Sequence, residues 1–132
     1  MLTKQSIFNK AVNGLLKQKK PAVNKLGECL FKTSGGLKCA IGFSIPEDKY
    51  KKSLEGEPAI HVLIKVGVVS DTLPLIQRES FSDFLDELQM AHDNTAYDLD
   101  RKFTSDFVKA LKPELKKIAR RFKLKMPSAL KK

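Results

Sequence analysis

Cysteine is scarce in this chain of 132 residues, and so are long apolar stretches. Cys29 and Cys39 are its only cysteines, far below the density of small secreted domains that depend on disulfide bonds. No segment approaches the ~18 consecutive apolar residues that cross a bilayer, and residues 1–20 contain no unbroken apolar stretch like that of a signal peptide. The sequence therefore predicts a cytoplasmic protein with reduced thiols and no membrane partner.

Length and composition are those of one globular domain. A chain of 132 residues can bury a core that needs neither a disulfide nor a metal ion. Hydrophobic residues make up 42% of the chain and charged residues 30%, which is too apolar for a chain kept unfolded by charge repulsion. We predict a single domain over residues 1–125, a frayed basic tail over 126–132, and no cofactor.

Charge is segregated along the chain. Residues 1–45 carry eight basic and one acidic residue (+7), and residues 46–100 carry five basic and twelve acidic residues (−7). Residues 101–132 carry twelve basic and two acidic residues (+10), so the three segments sum to the net charge of +10. Even if the acidic middle neutralises part of both ends, the excess favours polyanions or acidic proteins as partners.

Thr3 is predicted to cap a first helix that ends near Gln18. Its apolar residues recur at intervals of four and merge into one stripe. The stripe consists of Ile7, Phe8, Ala11, Val12, Leu15 and Leu16. Pro21 terminates the helix, and the three lysines within residues 17–20 are typical of a helix C-terminus.

Residues 28–44 change to the two-residue period of β-strands. Two predicted strands flank the loop 34–36 (Ser-Gly-Gly), because a three-residue loop with a left-handed glycine commonly closes a hairpin. The predicted pairs are Thr33–Leu37, Phe31–Cys39 and Cys29–Ile41. The fold class that follows is α+β: an N-terminal helix, a β-hairpin, then three or four helices around one core.

Two helices are predicted in the middle of the chain. Proline at position 58 and glycine at position 67 bracket a helix over 59–66, although its β-branched residues leave a strand open. The next helix is predicted to begin at a cap on Ser80 or Ser82. Asp93-Asn94 are expected to end it.

The last helix is predicted to begin at a cap on Thr104. Its apolar residues lie along one face: Phe107, Leu111, Leu115, Ile118 and Phe122. Pro113 lies inside this pattern and predicts a kink, or a break with a second helix starting there.

Cysteine and histidine residues supply the atoms of a zinc site but not its spacing. The candidates are Cys29, Cys39, His61 and His92. Structural zinc ligands usually come in close pairs along the chain, and none of these residues is so paired. We interpret the cysteines as small buried residues and predict no metal.

A cysteine nucleophile is the second chemical possibility, with Cys39 attacking and His92 as its base. A reactive thiol needs a nearby positive charge or helix N-terminus and an exposed face. Cys39 instead lies on a predicted apolar face, and His92 follows buried leucines at the edge of the core. We therefore predict a protein that is not an enzyme.

The basic side of the last helix is the strongest candidate for a functional surface. Its residues point away from the apolar stripe and extend into the tail. They are Lys109, Lys112, Lys116, Lys117, Arg120, Arg121, Lys123 and Lys125. Such a ridge can follow a phosphate backbone or an acidic protein groove. It can also be a solvated face paired with Asp83, Asp86 and Glu87.

One segment resembles a known group of sequences. Gly27-Glu-Cys29-Leu-Phe31-Lys32 followed by Gly36-Leu-Lys38-Cys39-Ala40-Ile41-Gly42 is similar to a hairpin in small uncharacterised proteins of tailed phages and bacteria. The similarity covers residues 4–50 and 84–93. The resemblance implies a phage or mobile-element setting, where small accessory proteins often bind a host or defence component. It implies no catalytic residue.

The leading hypothesis is a non-enzymatic, phage-encoded protein in the host cytoplasm. It would bind nucleic acid, or a complex that handles nucleic acid, through its basic C-terminal helix. The alternatives are a stoichiometric inhibitor that binds a host or anti-phage defence protein, and an enzyme that depends on Cys39.

Overall fold

Five α-helices make up most of the chain in the computed structural model, which describes residues 1–98 and 105–131. They are α1 (Lys4–Gln18), α2 (Ala59–Lys65), α3 (Leu75–Asp98), α4 (Ser105–Arg121) and α5 (Ser128–Lys131). α3 packs against α4 and α2, while α1 contacts α3, α4 and α5. Three phenylalanines from α1, α3 and α4 (Phe8, Phe84 and Phe107) are fully buried at the centre. None of these helices is long and apolar enough to cross a membrane.

α1 begins where the sequence predicts. The Thr3 side chain accepts a hydrogen bond from the backbone N–H of Ser6, and the Ser6 hydroxyl accepts one from the backbone N–H of Thr3. The helix ends at Gln18 as predicted, with Lys19 in a left-handed conformation (φ 63°). The predicted stripe is buried except for Leu16, which is partly buried.

The predicted β-hairpin, and with it the α+β class, is wrong: the fold is all-α. The loop itself forms as predicted, with Gly36 at φ 88° and the Thr33 N–H donating to the Leu37 carbonyl (2.8 Å). The pairing stops after the Lys32–Lys38 bridge and the hydrogen bond from the Cys39 N–H to the Phe31 carbonyl. Two further corrections follow. Cys29 bridges to Val23 instead of pairing with Ile41, and the chain turns into a short 3₁₀ segment (Gly42–Ser44).

Side chains form hydrogen bonds with backbone groups of the turn that could otherwise pair with a neighbouring strand. The Gln18 side chain accepts a hydrogen bond from the Lys38 N–H (2.9 Å) and donates one to the Lys38 carbonyl (2.9 Å). The Glu55 carboxylate accepts the N–H groups of Phe31 (2.8 Å) and Lys32 (3.2 Å). Because these backbone groups are already satisfied, the turn has no need of a third strand.

Gly42 makes the sharp exit from this turn possible. A β-carbon at this position would lie 2.0 Å from the Phe31 carbonyl oxygen, so any other residue would push the 3₁₀ segment off the turn. This close approach ends the pairing after Phe31 and Cys39.

α2 and α3 differ in how well the sequence predicts them. α2 covers Ala59–Lys65, one residue short of the predicted helix over 59–66. α3 begins at Leu75, five residues before Ser80, and runs past Asp93-Asn94 to Asp98. Its first two residues, Leu75 and Ile76, are exposed, so the apolar periodicity does not mark the start. Beyond Asp93-Asn94, Thr95 and Ala96 are buried, so packing against the core continues past the predicted end.

α4 runs through Pro113 without a break. The predicted second helix at Pro113 is wrong, because the buried side chains Leu111 and Leu115 hold both sides of the proline in the core. The predicted cap on Thr104 lies outside the described residues.

The tail also differs from the expectation of fraying. Residues 128–131 form α5, and its Leu130 is fully buried. The Gln5 side chain pairs with both backbone groups of Lys125, at 2.8 Å to its N–H and 2.9 Å to its carbonyl. The tail is therefore held against α1.

Candidate nucleic-acid interface

α4 is amphipathic in the way the sequence predicts. Phe107, Leu111, Leu115 and Ile118 are buried against the core, and Phe122, just after the helix, is partly buried. The opposite side of α4 carries the predicted basic residues, and the structure divides them into three groups.

The first group lines an open groove between α4, the C-terminal end of α1, and α5. The groove has a volume of about 780 Å³. Its lining residues are Leu16, Lys19, Val108, Lys109, Lys112, Pro113, Lys116, Lys117, Arg120 and Ala129. Four of these residues are aliphatic (Leu16, Val108, Pro113 and Ala129), and we refer to them as its floor; the other six are cations. We call it the basic groove.

Four cations of the basic groove stand in one row along α4. Lys109, Lys112, Lys116 and Arg120 are three, four and four residues apart, so they recur about once per helical turn on the same face. At a rise of about 1.5 Å per residue, the row is about 16 Å long. Lys19 faces it from α1.

No carboxylate lines the basic groove among the described residues. Within that part of the chain, Lys19, Lys109, Lys116 and Arg120 form no ion pair. Among the described residues, these four cations therefore have no carboxylate within ion-pair distance.

On the side of α4 that faces α3, the basic residues form ion pairs with carboxylates. Arg121 forms an ion pair with Glu87 of α3, and Lys117 pairs with Glu114 one turn before it (3.2 Å). These four residues line a second groove of about 530 Å³ with Met90. Of the acidic residues that the alternative of a paired basic face would use, Glu87 pairs with this helix; Asp83 and Asp86 form no ion pair with the described residues.

The third group lies outside both grooves. Lys123 follows α4 in a left-handed conformation (φ 56°), and Lys125 is held by Gln5. Neither lines the basic groove.

Sequence reasoning missed the wall contributed by α1. It treated Lys19 as an ordinary helix terminus, because nothing local shows that the end of α1 lies beside α4. The charge of +7 on residues 1–45 was the available signal, but it does not identify which lysines are free. Lys32 and Lys38, for example, both bind Glu47, and their hydrogen bonds lower the pKa of that carboxyl to about 2.

Three side chains that could act as metal ligands or as acid–base groups lie close together. The ligand atoms of Cys29, His92 and Asp93 lie within 4.8 Å of one another. The fully buried His92 ring accepts a hydrogen bond at Nε2 from the Ala22 N–H (2.9 Å). Its proton must then sit on Nδ1, which donates to Asp93 Oδ1 (2.9 Å). We call these three residues the imidazole cluster.

This hydrogen bonding does not fit a zinc ligand or a catalytic base. A metal ion on Nδ1 would shift the ring proton to Nε2, where it would point at the Ala22 N–H. A neutral imidazole has one nitrogen lone pair, and the His92 lone pair already accepts the hydrogen bond from the Ala22 N–H. The ring therefore has no lone pair left to accept a proton from a cysteine thiol. Of the other predicted candidates, His61 is exposed on α2 and lies outside the cluster.

Cys39 is equally poorly placed for chemistry. It is fully buried, and its burial raises the pKa of the thiol to about 12. The Gly42 N–H donates to its sulfur (3.4 Å), but this does not offset burial. A nucleophile needs the opposite environment.

Comparison with known proteins adds no family to this description. Protein-family models, curated proteins and solved structures yield no match to the chain.

Proposed function

We propose that this is a non-enzymatic cytoplasmic protein that binds nucleic acid along the basic groove. One observation carries the proposal: Lys109, Lys116 and Arg120 stand in one row and form no ion pair with the described residues. Phosphates of a nucleic-acid backbone are the ligand chemistry for such a row, because each contact replaces a condensed counterion and gains entropy when that ion is released.

The number of groove cations sets the expected strength of the salt effect. Lys19, Lys109, Lys116 and Arg120 can make about four phosphate contacts. At about 0.7 per contact on a single strand and 0.9 on a duplex, the plot of log affinity against log salt should have a slope between about −2.8 and −3.6.

A salt series with purified protein and labelled oligonucleotides tests the proposal. The decisive variant changes Lys109, Lys116 and Arg120 to Gln, which removes three charges. It should weaken binding about 100-fold at 0.1 M salt and flatten the slope by about 2. A matched variant with Lys49, Lys51 and Lys52 changed to Gln removes the same charge from exposed positions outside the groove, and it should bind nearly as tightly as the parent protein.

Absence of binding to any oligonucleotide at low salt would refute the proposal. A partner that is retained after nuclease treatment of a host lysate, and lost in the groove variant, would support the inhibitor hypothesis instead. Equal weakening in both triple variants would show that only net charge matters and that the groove is not the site.

A further inference from the structure

The floor of the basic groove suggests which form of nucleic acid it takes. Leu16, Val108, Pro113 and Ala129 present aliphatic carbon in the same groove as the cations of α4 and Lys19, the residue that follows α1. Phosphates make no favourable contact with aliphatic carbon. Cation–phosphate contacts therefore do not account for the four aliphatic residues in the groove.

We propose that the basic groove binds a single nucleic-acid strand in preference to a duplex, with phosphates on the α4 row and base faces on the apolar floor. This inference rests on the proposed function and specifies its ligand. In a duplex the apolar base faces are stacked inside, and a protein reaches only phosphates, sugars and base edges. A single strand exposes both groups at once and can cover the whole groove.

The walls of the groove argue in the same direction. α1 and α4 contact each other, and α5 contacts both. Packed helices lie about 8–10 Å apart between axes, so the floor sits between neighbouring helices. A rigid duplex can therefore lie only across the groove, whereas a flexible single strand can follow its surface.

The lining also predicts weak base preference. Its side chains are aliphatic or cationic, with no carboxylate, amide or hydroxyl group among the described residues. The side chains can therefore donate hydrogen bonds but accept none, and they cannot recognise the amino groups that distinguish adenine and cytosine. Contact through base faces is tolerant of sequence.

The test compares three polyanions at equal salt by fluorescence anisotropy and competition: labelled oligo-dT, its duplex with oligo-dA, and heparin, which has charge but no bases. We expect oligo-dT to bind several-fold more tightly than the duplex and heparin to compete only at low salt. Oligo-dA and oligo-dT should bind within a few-fold of each other.

Two floor variants separate the floor from the row. Val108→Asn places an amide on the floor at a half-buried residue, and Pro113→Ala removes the ring while favouring the helix. Each should lower affinity for oligo-dT several-fold, leave affinity for the duplex unchanged and keep the salt slope. Met90→Asn alters an exposed apolar residue (55% exposed) in the groove on the α3 side and should change neither affinity.

The possible failures are distinguishable. A duplex that binds as tightly as oligo-dT overturns the single-strand inference but leaves nucleic-acid binding intact. No binding of either refutes both. An acidic amphipathic peptide that displaces oligo-dT at lower concentration than unlabelled oligo-dT itself would show that the floor is built for a protein segment, and it would overturn the inference.

Discussion

The basic groove and the imidazole cluster both concentrate polar side chains, but they differ in what those side chains have left to bind. In the groove, Lys109, Lys116 and Arg120 are solvent-accessible and form no ion pair with the described residues. In the cluster, both ring nitrogens of His92 are hydrogen-bonded and the ring is fully buried. A candidate binding site is thus recognised by polar groups that can still bind a ligand. Reactive atoms whose hydrogen bonds are already made indicate a structural contact.

Reversing charge in the groove should have the largest effect on binding. Changing Lys109, Lys116 and Arg120 to Glu should reduce affinity for oligo-dT about 1,000-fold at 0.1 M salt. Neutralisation alone removes about two orders of magnitude, and the new carboxylates repel phosphate. Anisotropy titration measures the affinity, and a thermal melt within a few degrees of the parent shows that the fold is kept. A loss below 10-fold would place the nucleic acid elsewhere.

Removing the imidazole should affect stability and leave binding alone. His92→Leu deprives the Ala22 N–H of its acceptor and Asp93 of its donor, which should lower the free energy of unfolding by about 2–3 kcal/mol. Asp93→Asn keeps an acceptor for Nδ1 and should cost less. Urea denaturation measures both variants.

The same variants test the assignment of the cluster as structural. Affinity for oligo-dT should stay within about twofold, since the cluster lies outside the groove. Zinc should not raise the melting temperature of the parent protein. A rise of several degrees that is lost in His92→Leu would contradict the hydrogen-bond assignment of the ring.

Cys39 should make stability fall at alkaline pH. Its pKa is raised by burial from about 9 in the unfolded chain to about 12 in the fold. The folded state therefore keeps the thiol proton where the unfolded state loses it. Stability is complete below pH 9 and declines as pH rises toward 12, by about 1.4 kcal/mol between pH 8 and 10.

Denaturation curves at several pH values measure this decline. Cys39→Ala is less stable overall because it leaves a small cavity, but its stability should vary less over the same range. An unchanged slope would show that the thiol is ionised more easily than its burial implies.

Breaking the ion pair between Arg121 and Glu87 should have the smallest effect on binding. Glu87→Gln releases Arg121 from a partly exposed ion pair whose contribution to stability is below about 1 kcal/mol. Affinity for oligo-dT should rise no more than about twofold, because Arg121 faces α3 and not the basic groove. A gain above 10-fold would mean that the strand passes over the α3 side.

Local patterns predicted the helices wherever capping and periodicity agree. α1 follows from Thr3 and its apolar stripe, and the buried face of α4 follows from Phe107 and Leu111. The strand pattern of residues 28–44 failed because alternation indicates which side chains are buried but not what pairs with the backbone. Gln18 and Glu55 decide that from distant parts of the chain.

The sequence predicted only part of the basic groove, because contacts between distant parts of the chain again decide the rest. Lys109, Lys112, Lys116, Lys117 and Arg120 line the groove, but Arg121 pairs with Glu87 and Lys123 and Lys125 lie outside it. Helical spacing indicates which residues share a face, but it does not reveal which neighbour covers that face.

The sequence by itself determined the amphipathic basic helix, the capped first helix and the excess of positive charge, because these depend on residues close together along the chain. Only the tertiary structure decided which side of α4 remains uncompensated, that Lys19 completes the groove, and that His92 is fully hydrogen-bonded. Ion pairing and burial depend on distances between residues far apart in sequence, and packing alone sets those distances.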